Sequence, residues 1–236
     1  QANQSKTRFR ALASHDILQP LNAARLYLSS LDEEQLSEHN QQIVHKLSSS
    51  LTSSEQLIST LLEIAKLEQG ALTPTLSHIS LMELIRPLEQ EFRMQAELNQ
   101  VNLQIRPCAA VVYSDPTYLR RILQNLISNA IKYSPKGRVL VGCRKRGMHL
   151  LIQVWDNGFG ISEAEQADVF SDFYRAHRGE IKGVGLGLSV VKKMSEQLHH
   201  PIQLQSEPGK GSCFSVMVPL GNSMMLKEHS QIDTNQ

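Results

Sequence analysis

Leu123-Gln124-Asn125-Leu126-Ile127-Ser128-Asn129-Ala130-Ile131-Lys132-Tyr133 is the stretch on which the reading of this 236-residue chain turns. Leu119, Ile122, Leu123, Leu126, Ile127 and Ala130 repeat at helical spacing, and Asp115 followed by Pro116 has the signature of a cap with a first-turn proline. The last two turns of that helix carry Asn125, Asn129, Lys132 and Tyr133. Asn125 and Asn129 share one face, and Asn129 and Lys132 stand three apart. Asparagine fills helix interiors poorly, and end-capping accounts for at most one of the two. An amide oxygen can ligate Mg²⁺, and a neighbouring ammonium can meet the phosphates that such an ion bridges.

Working outward, Arg138 to Arg146 and Met148 to Asp156 alternate like a hairpin turning at Gly147. Asp156-Asn157-Gly158-Phe159-Gly160-Ile161 follows that second run. Its glycines allow a tight turn beside a flat ligand, where the carboxylate can accept a hydrogen bond from an exocyclic amine; an ordinary β-turn is the alternative. Gly183-Val184-Gly185-Leu186-Gly187-Leu188 opens a helix running to Leu198, so its free backbone N–H groups can receive phosphate oxygens. No lysine follows as in a P-loop, and the strand-first Rossmann context is missing, which disfavours a nicotinamide fold. Leu81 to Asn99 has helical spacing, whereas Val101 to Ile105, Val111 to Tyr113, Ile202 to Ser206 and Ser212 to Leu220 read as strands. Residues 75–220 are therefore expected to form an α/β sandwich with one mixed sheet and helices on one face. Residues 221–236 are polar and aperiodic, a tail or linker.

Upstream the texture changes. Residues 1–70 hold one proline and one glycine, Pro20 and Gly70, and Ala71 to Pro74 form a short joint. Ala13, Ile17, Leu21, Ala24, Leu28 and Leu31 make one helical stripe, and Ile43, Leu47, Leu51, Leu61 and Leu67 belong to a second, with Asp32 to Gln35 between them. A lone helical hairpin leaves apolar surface uncovered, so an all-α dimeric four-helix bundle is expected. His15 lies two residues before Ile17, ~200° round the helix and away from the stripe. An outward imidazole beside Asp16 can attack a phosphoryl group while the carboxylate removes or orients the ring proton. An ordinary exposed histidine remains the alternative on this pair alone. Pro20 can bend the helix one turn later.

The 24 basic and 23 acidic side chains leave a formal charge of +1, which gives no electrostatic case for nucleic acid. Cys108, Cys143 and Cys213 are too widely spaced for a short zinc motif and read as small buried hydrophobes in a reducing, intracellular location. No run approaches ~18 apolar residues, so no membrane contact is expected of this piece. The start at Gln1 reads as an excision from something longer.

Taken together, these segments closely resemble the sensor histidine kinases of two-component systems over residues 5–220. Ser14 to Leu21 resembles the H box and Asn125 to Tyr133 the N box. Asp156 to Gly160 and Gly183 to Leu188 resemble the two glycine boxes, and Phe170 to Tyr174 the F box. Gly209-Lys210-Gly211-Ser212-Cys213-Phe214 resembles the closing Gly-x-Gly-Thr-x-Phe element, Ser212 keeping the hydroxyl. The resemblance implies a dimerisation and histidine-phosphotransfer domain at 1–70, joined to a catalytic ATP-binding domain of the gyrase and Hsp90 fold at 75–220. It further implies that His15 is autophosphorylated from ATP with Asp16 assisting, and that the phosphoryl group passes to an aspartate of a response-regulator receiver domain. Asn129 would hold Mg²⁺ with support from Asn125, Lys132 and Arg175 would face phosphates, and Tyr133 would pack near the nucleotide. Asp156 would read the adenine amino group, with Gly158, Gly160, Gly183, Gly185, Leu186, Gly187 and Ser212 lining the site. Residues 161–182 would be a lid too poor in apolar spacing to form a firm element.

The Gln19-Pro20-Leu21 version of the H box looks like that of kinases carrying a fused receiver, implying a hybrid parent. The resemblance places the fragment in the cytoplasm, as part of a longer sensor protein. Gln19 stands where many relatives have threonine or asparagine, which bears on phosphatase activity toward the regulator. A phosphatase-dominant protein and a silent ATP-binding dimeric scaffold are the competing readings.

Overall fold

Helix α1 covers residues 19–29 and is followed by α2 at Glu38–Glu68 in the computed structural model, which describes residues 19–31, 36–70, 73–174 and 185–223. The chain divides into two units, residues 1–66 and residues 67–236. In the first, Leu21, Ala24 and Leu28 are half-buried while Leu26 and Tyr27 on the opposite side are exposed, which is the phase the spacing predicts. Along α2, Ile43, Leu47 and Leu61 are between 41% and 49% exposed in the single chain. Arg25 on α1 meets Glu55 on α2 at 3.6 Å. His15, Asp16 and the rest of the H box before Gln19 lie outside the described residues.

The second unit runs β1 (Ser77–Ser80), α3 (Leu81–Leu98), β2 (Asn102–Ile105), β3 (Val111–Ser114), α4 (Pro116–Tyr133), β4 (Arg138–Arg146), β5 (His149–Asp156), α5 (Glu163–Gln166), α6 (Gly187–Leu198), β6 (Ile202–Glu207) and β7 (Gly211–Pro219). Five strands form a mixed sheet in the order β2-β4-β5-β7-β6, with β2 parallel to β4 and the other pairs antiparallel. The expectation of one sheet needs a correction. β3 leaves that sheet and pairs antiparallel with β1, a strand the sequence pattern did not mark, in a separate two-stranded sheet. Ser77-His78-Ile79-Ser80 is half-buried throughout and has no apolar alternation to announce it.

Register makes the two faces of the main sheet unequal. Val141, Val154, Phe214 and Leu204 lie in one row, and Leu140, Trp155, Cys213 and Gln205 in the next, on the opposite face. The first row belongs to the core, in which Val141, Val154, Ile122, Leu126 and Ile127 are fully buried; Trp155, from the other face, is 43% exposed. Each core aliphatic contributes about 1.5 to 3 kcal/mol through burial. α4 is started by Asp115, whose Oδ1 accepts from the N–H groups of Thr117 and Tyr118 at 2.8 and 2.9 Å. Its Oδ2 accepts from Thr75 N–H at 2.7 Å, tying the segment before β1 to the same cap.

The cysteine reading holds for Cys213, which is buried, and fails for the other two. Cys108 and Cys143 form a disulfide, so cysteine usage gives no support to the reducing location expected from it. Because Ile105 pairs with Val141 in parallel register, the chain after β2 runs alongside the continuation of β4 and brings the two sulfurs together. Gly221 and Asn222, assigned to the tail by composition, are tied down: Gly221 N–H donates to Val111 O at 2.8 Å and Asn222 N–H to His78 Nδ1 at 3.1 Å.

Candidate active site

The two asparagines of α4 and the glycine that opens α6 come together. Asn125 donates through Nδ2 to Arg121 O at 2.9 Å, which orients its amide and leaves Oδ1 as an acceptor. A methyl group built on Gly187 would stand 2.9 Å from that Oδ1 and 3.8 Å from Asn129 Nδ2. Helix α6 begins there without a side-chain cap, so its first backbone N–H groups point out of the helix end unclaimed by a capping side chain. Gly185 and Leu186 lead directly into this end; Leu186 is buried and its carbonyl accepts from Val190 N–H and Ser189 Oγ. Lys132 lies with Nζ 5.0 Å from the centre of the Tyr133 ring, at the C-terminal end of α4. Gly183 and Arg175 lie outside the described residues.

Asp156 ends β5 and is half-buried. Its Oδ1 accepts three hydrogen bonds, from Gly158 N–H at 2.9 Å, Ser134 Oγ at 3.3 Å and Ser212 N–H at 3.3 Å. No described residue donates to Oδ2. Burial pushes the Asp156 carboxyl above the usual carboxylate range, outweighing the three hydrogen bonds that pull it down. One oxygen is thus saturated by the fold and the other is available to an incoming donor.

The neighbouring glycines have an intramolecular reason. A side chain at Gly158 would run into the Tyr133 carbonyl and the Ser134 hydroxyl; one at Gly160, where φ is +69°, would meet the backbone of Glu207. Gly211, with φ +99°, lies against the backbone of Asp156 and Asn157. These close approaches join the end of α4, the turn after β5 and the β6–β7 turn. Ser134 is the residue that sequence reasoning missed. It is buried, follows Tyr133 directly and supplies one of the three donors to Asp156.

The expectation that no firm element follows Ile161 is corrected for residues 161–174. Helix α5 spans Glu163–Gln166, and Val169 is buried. Phe170 meets Phe214 edge-on with centroids 6.2 Å apart, and the Tyr174 hydroxyl donates to Glu165 Oε1 at 3.3 Å. Gln166 reaches back to the carbonyls of Ile161 and Ser206 at 3.2 and 3.0 Å. These polar anchors replace the apolar periodicity that a longer helix would need. Among the described residues no group of three or more His, Cys, Asp or Glu side chains could hold a metal ion, and no helix is long and apolar enough to cross a membrane.

Comparison with known proteins agrees with this geometry. Residues 5–70 match the model of the His Kinase A (phospho-acceptor) domain, and residues 114–222 that of the histidine kinase-, DNA gyrase B- and HSP90-like ATPases. The chain is 31% identical over 226 residues to the sensor histidine kinase RcsC of Escherichia coli, covering 93% of this chain and 24% of that protein. It is also 31% identical to the circadian input-output histidine kinase CikA of Synechococcus elongatus, covering 92% of this chain and 30% of CikA. The autoinducer 2 sensor kinase/phosphatase LuxQ of Vibrio vulnificus is 31% identical, with 93% and 27% covered. The chain therefore spans roughly a quarter of the length of such relatives. Its fold is shared with full-length ShkA, solved in complex with AMPPNP, at a TM-score of 0.79 and 24% identity over 92% of this chain and 46% of ShkA. With a phospho-acceptor domain followed by an ATPase domain of this type, the chain belongs to the histidine kinases.

Proposed function

We propose that the chain is the kinase part of a two-component sensor, which transfers the γ-phosphoryl group of ATP to His15 and then to an aspartate of a receiver domain. The observation that carries the ATP reading is the division of labour at Asp156, with Oδ1 held by three donors and Oδ2 left open. An acceptor that no described residue claims, in a half-buried turn, suits the amino group of adenine and repels the carbonyl of guanine. One lost hydrogen bond with an unsatisfied partner gives a discrimination of about 1 to 3 kcal/mol.

At the other end of the site, the uncapped start of α6 offers N–H groups to phosphate oxygens, with Lys132 adding charge and Tyr133 packing near the nucleotide. Gly185 and Gly187 keep that approach open, and the family resemblance would add Gly183 and Arg175, which lie outside the described residues. The asparagine pair fits Mg²⁺: Asn125 Oδ1 is freed by the bond from Nδ2 to Arg121 O, and neutral amide oxygens are hard donors. Asn129, supported by Asn125, would hold the ion, which supplies charge neutralisation on the phosphates. In the transfer itself one imidazole nitrogen of His15 forms the N–P bond. The bond from the γ-phosphorus to the bridging oxygen breaks, and ADP leaves with that electron pair. Asp16 takes or orients the ring proton.

The exposed Ile43, Leu47 and Leu61 on α2 support a dimer through the hairpin, which we assign to residues 1–70, with the catalytic domain at 75–220. The Gln19-Pro20-Leu21 sequence and the short share of each relative spanned favour a longer hybrid parent with its own receiver, this part lying in the cytoplasm where ATP is available. The test is labelling with γ-labelled ATP. The parent chain is expected to gain an acid-labile label that His15→Gln loses while nucleotide binding persists. Equal labelling of His15→Gln would overturn the assignment.

A further inference from the structure

Ser206 lies on β6, outside every motif that the family resemblance uses, yet its hydroxyl is at the centre of a small network. Ser206 Oγ is 2.9 Å from Gly211 O, 2.8 Å from Ile161 N and 2.9 Å from Ser212 Oγ. Ser206 and Ser212 are register partners in the β6–β7 pair, so both side chains lie on the same face of the sheet as Asp156, which is Ser212's partner on β5.

The direction of each bond follows from counting hydrogens. A hydroxyl has one hydrogen and two lone pairs. The Gly211 carbonyl can only accept, so the Ser206 hydrogen goes there. The Ile161 N–H can only donate, and it takes one Ser206 lone pair. The second lone pair can then be used only by a donor, which makes Ser212 the donor in the hydroxyl pair. Ser212 therefore turns its hydrogen toward Ser206 and keeps its own lone pairs for whatever lies beside Asp156. Its backbone N–H is already given to Asp156 Oδ1.

We propose that Ser206 is a positioning residue for base selection, which sets Ser212 as an acceptor next to Asp156 and pins the start of the lid at Ile161. This rests on the kinase reading, since it assumes that Asp156 faces the base. With Ser206 in place, Asp156 Oδ2 and Ser212 Oγ are both left as acceptors, on residues that stand opposite each other in the β5–β7 register. That pair suits an amino group directly, or a water that donates to both, and opposes a carbonyl oxygen at the same edge. Without the Ser206 hydroxyl, Ser212 is free to rotate and donate, and a guanine carbonyl gains a partner. The same loss leaves Ile161 N–H without its acceptor, while Gln166 still holds the carbonyls of Ile161 and Ser206.

The experiment uses the full chain with ADP and GDP, which differ in the base and undergo no phosphoryl transfer. Two isosteric variants, Ser206→Thr and Ser206→Val, differ only in the hydroxyl, and both are β-branched residues that suit a strand. Calorimetric titration is expected to give Ser206→Thr the parent's ADP-over-GDP ratio and Ser206→Val a ratio about tenfold smaller. The Ile161 amide is expected to exchange with deuterium faster in Ser206→Val alone. Ser212→Ala is expected to shrink the ratio by a similar factor, and Ser206→Val combined with Ser212→Ala to shrink it no further. An unchanged ratio in Ser206→Val, or a Ser206→Thr protein that behaves like it, would overturn the positioning role. If Ser206→Val shows no melting transition, the decision passes to Ser212→Ala, where an unchanged ratio overturns the proposal. A parent chain without ADP preference would instead remove the assignment of Asp156 to the base, which is a separate failure.

Discussion

Gly187 and Asn125 lie so close that a methyl group on Gly187 would stand 2.9 Å from Asn125 Oδ1, a clash that only a shift of the asparagine side chain relieves. Gly187 does not have the positive φ of Gly185, at +79°, so alanine suits its backbone and favours the helix it begins. The substitution must therefore act through the asparagine, which has to rotate away and take its oxygen out of place. Gly187→Ala is expected to keep or raise the melting temperature while weakening Mg-ADP binding about tenfold, with the ADP-over-GDP ratio unchanged. Calorimetry with and without Mg²⁺ checks this, the loss being largest when the ion is present.

Asp156 gives the opposite separation. Its carboxyl is raised by burial, so the folded unit takes up a proton at a higher pH than the unfolded chain does. Above the folded pKa the buried charge destabilises; as pH falls from there toward the ordinary value of 3.8, protonation of the folded state removes that penalty. Asp156→Asn keeps an oxygen for Gly158, Ser134 and Ser212 and removes the charge. At pH 7 it is expected to melt no lower than the parent, the advantage shrinking as pH falls. In binding, its amide nitrogen would face the adenine amino group donor to donor, so the ADP-over-GDP ratio should fall by about 10- to 100-fold. Paired melting and titration series between pH 4 and 8 test both halves.

Local chemistry explains which parts of this fold the sequence exposed. The Asp115 cap, the α4 stripe and the β4–β5 hairpin are written within a few residues of one another, and each formed where its pattern lay. β1 depends on β3, with Ser77 opposite Ser114, and carries no apolar alternation of its own. The Ser134 and Ser206 hydroxyls likewise become informative only when register and turn packing bring them to Asp156 and Ser212. Asn125 and Asn129 were readable because one helical turn joins them, whereas their nearness to Gly187 is a tertiary fact. The lid's first half leaves no pattern in the sequence because Gln166 and Phe170 anchor it singly, without a repeat.

The Cys108–Cys143 disulfide is the product of such a non-local pairing, closing a sequence separation of 35 residues between the β2–β3 segment and β4. Restricting the unfolded chain over that distance stabilises by about 2 to 4 kcal/mol. Cys143 pairs with Ile152, four residues along β5 from Asp156, or roughly 13 Å at the rise of a strand. Reduction, or Cys108→Ser, is therefore expected to lower the melting temperature by roughly 5 to 15 °C. ADP affinity should remain within about twofold of the parent. A thiol titration of the folded chain before and after reductant counts the bond directly, and an unchanged melting temperature on reduction would contradict the stabilising role.

His200 is expected to make the second unit sensitive to acid. It is 2% exposed, with Nε2 2.9 Å from Ser114 Oγ and Nδ1 buried without a partner. Burial holds its pKa below the ordinary 6.5, outweighing a backbone hydrogen bond at His199 that pulls it up, and like-charge repulsion from His199 and His149 adds to the lowering, which favours the neutral ring in the folded state. The unfolded chain binds a proton at His200 more readily than the folded one, so stability rises with pH through this window and is lost as pH falls below about 6.5. The parent is expected to lose several degrees of melting temperature between pH 7 and pH 5. His200→Gln, which keeps a polar group able to reach Ser114, should start lower at pH 7 by roughly 1 kcal/mol and show a shallower decline. Thermal melts at fixed ionic strength distinguish this from general acid denaturation: an equally steep decline in both proteins would assign the acid sensitivity to other groups.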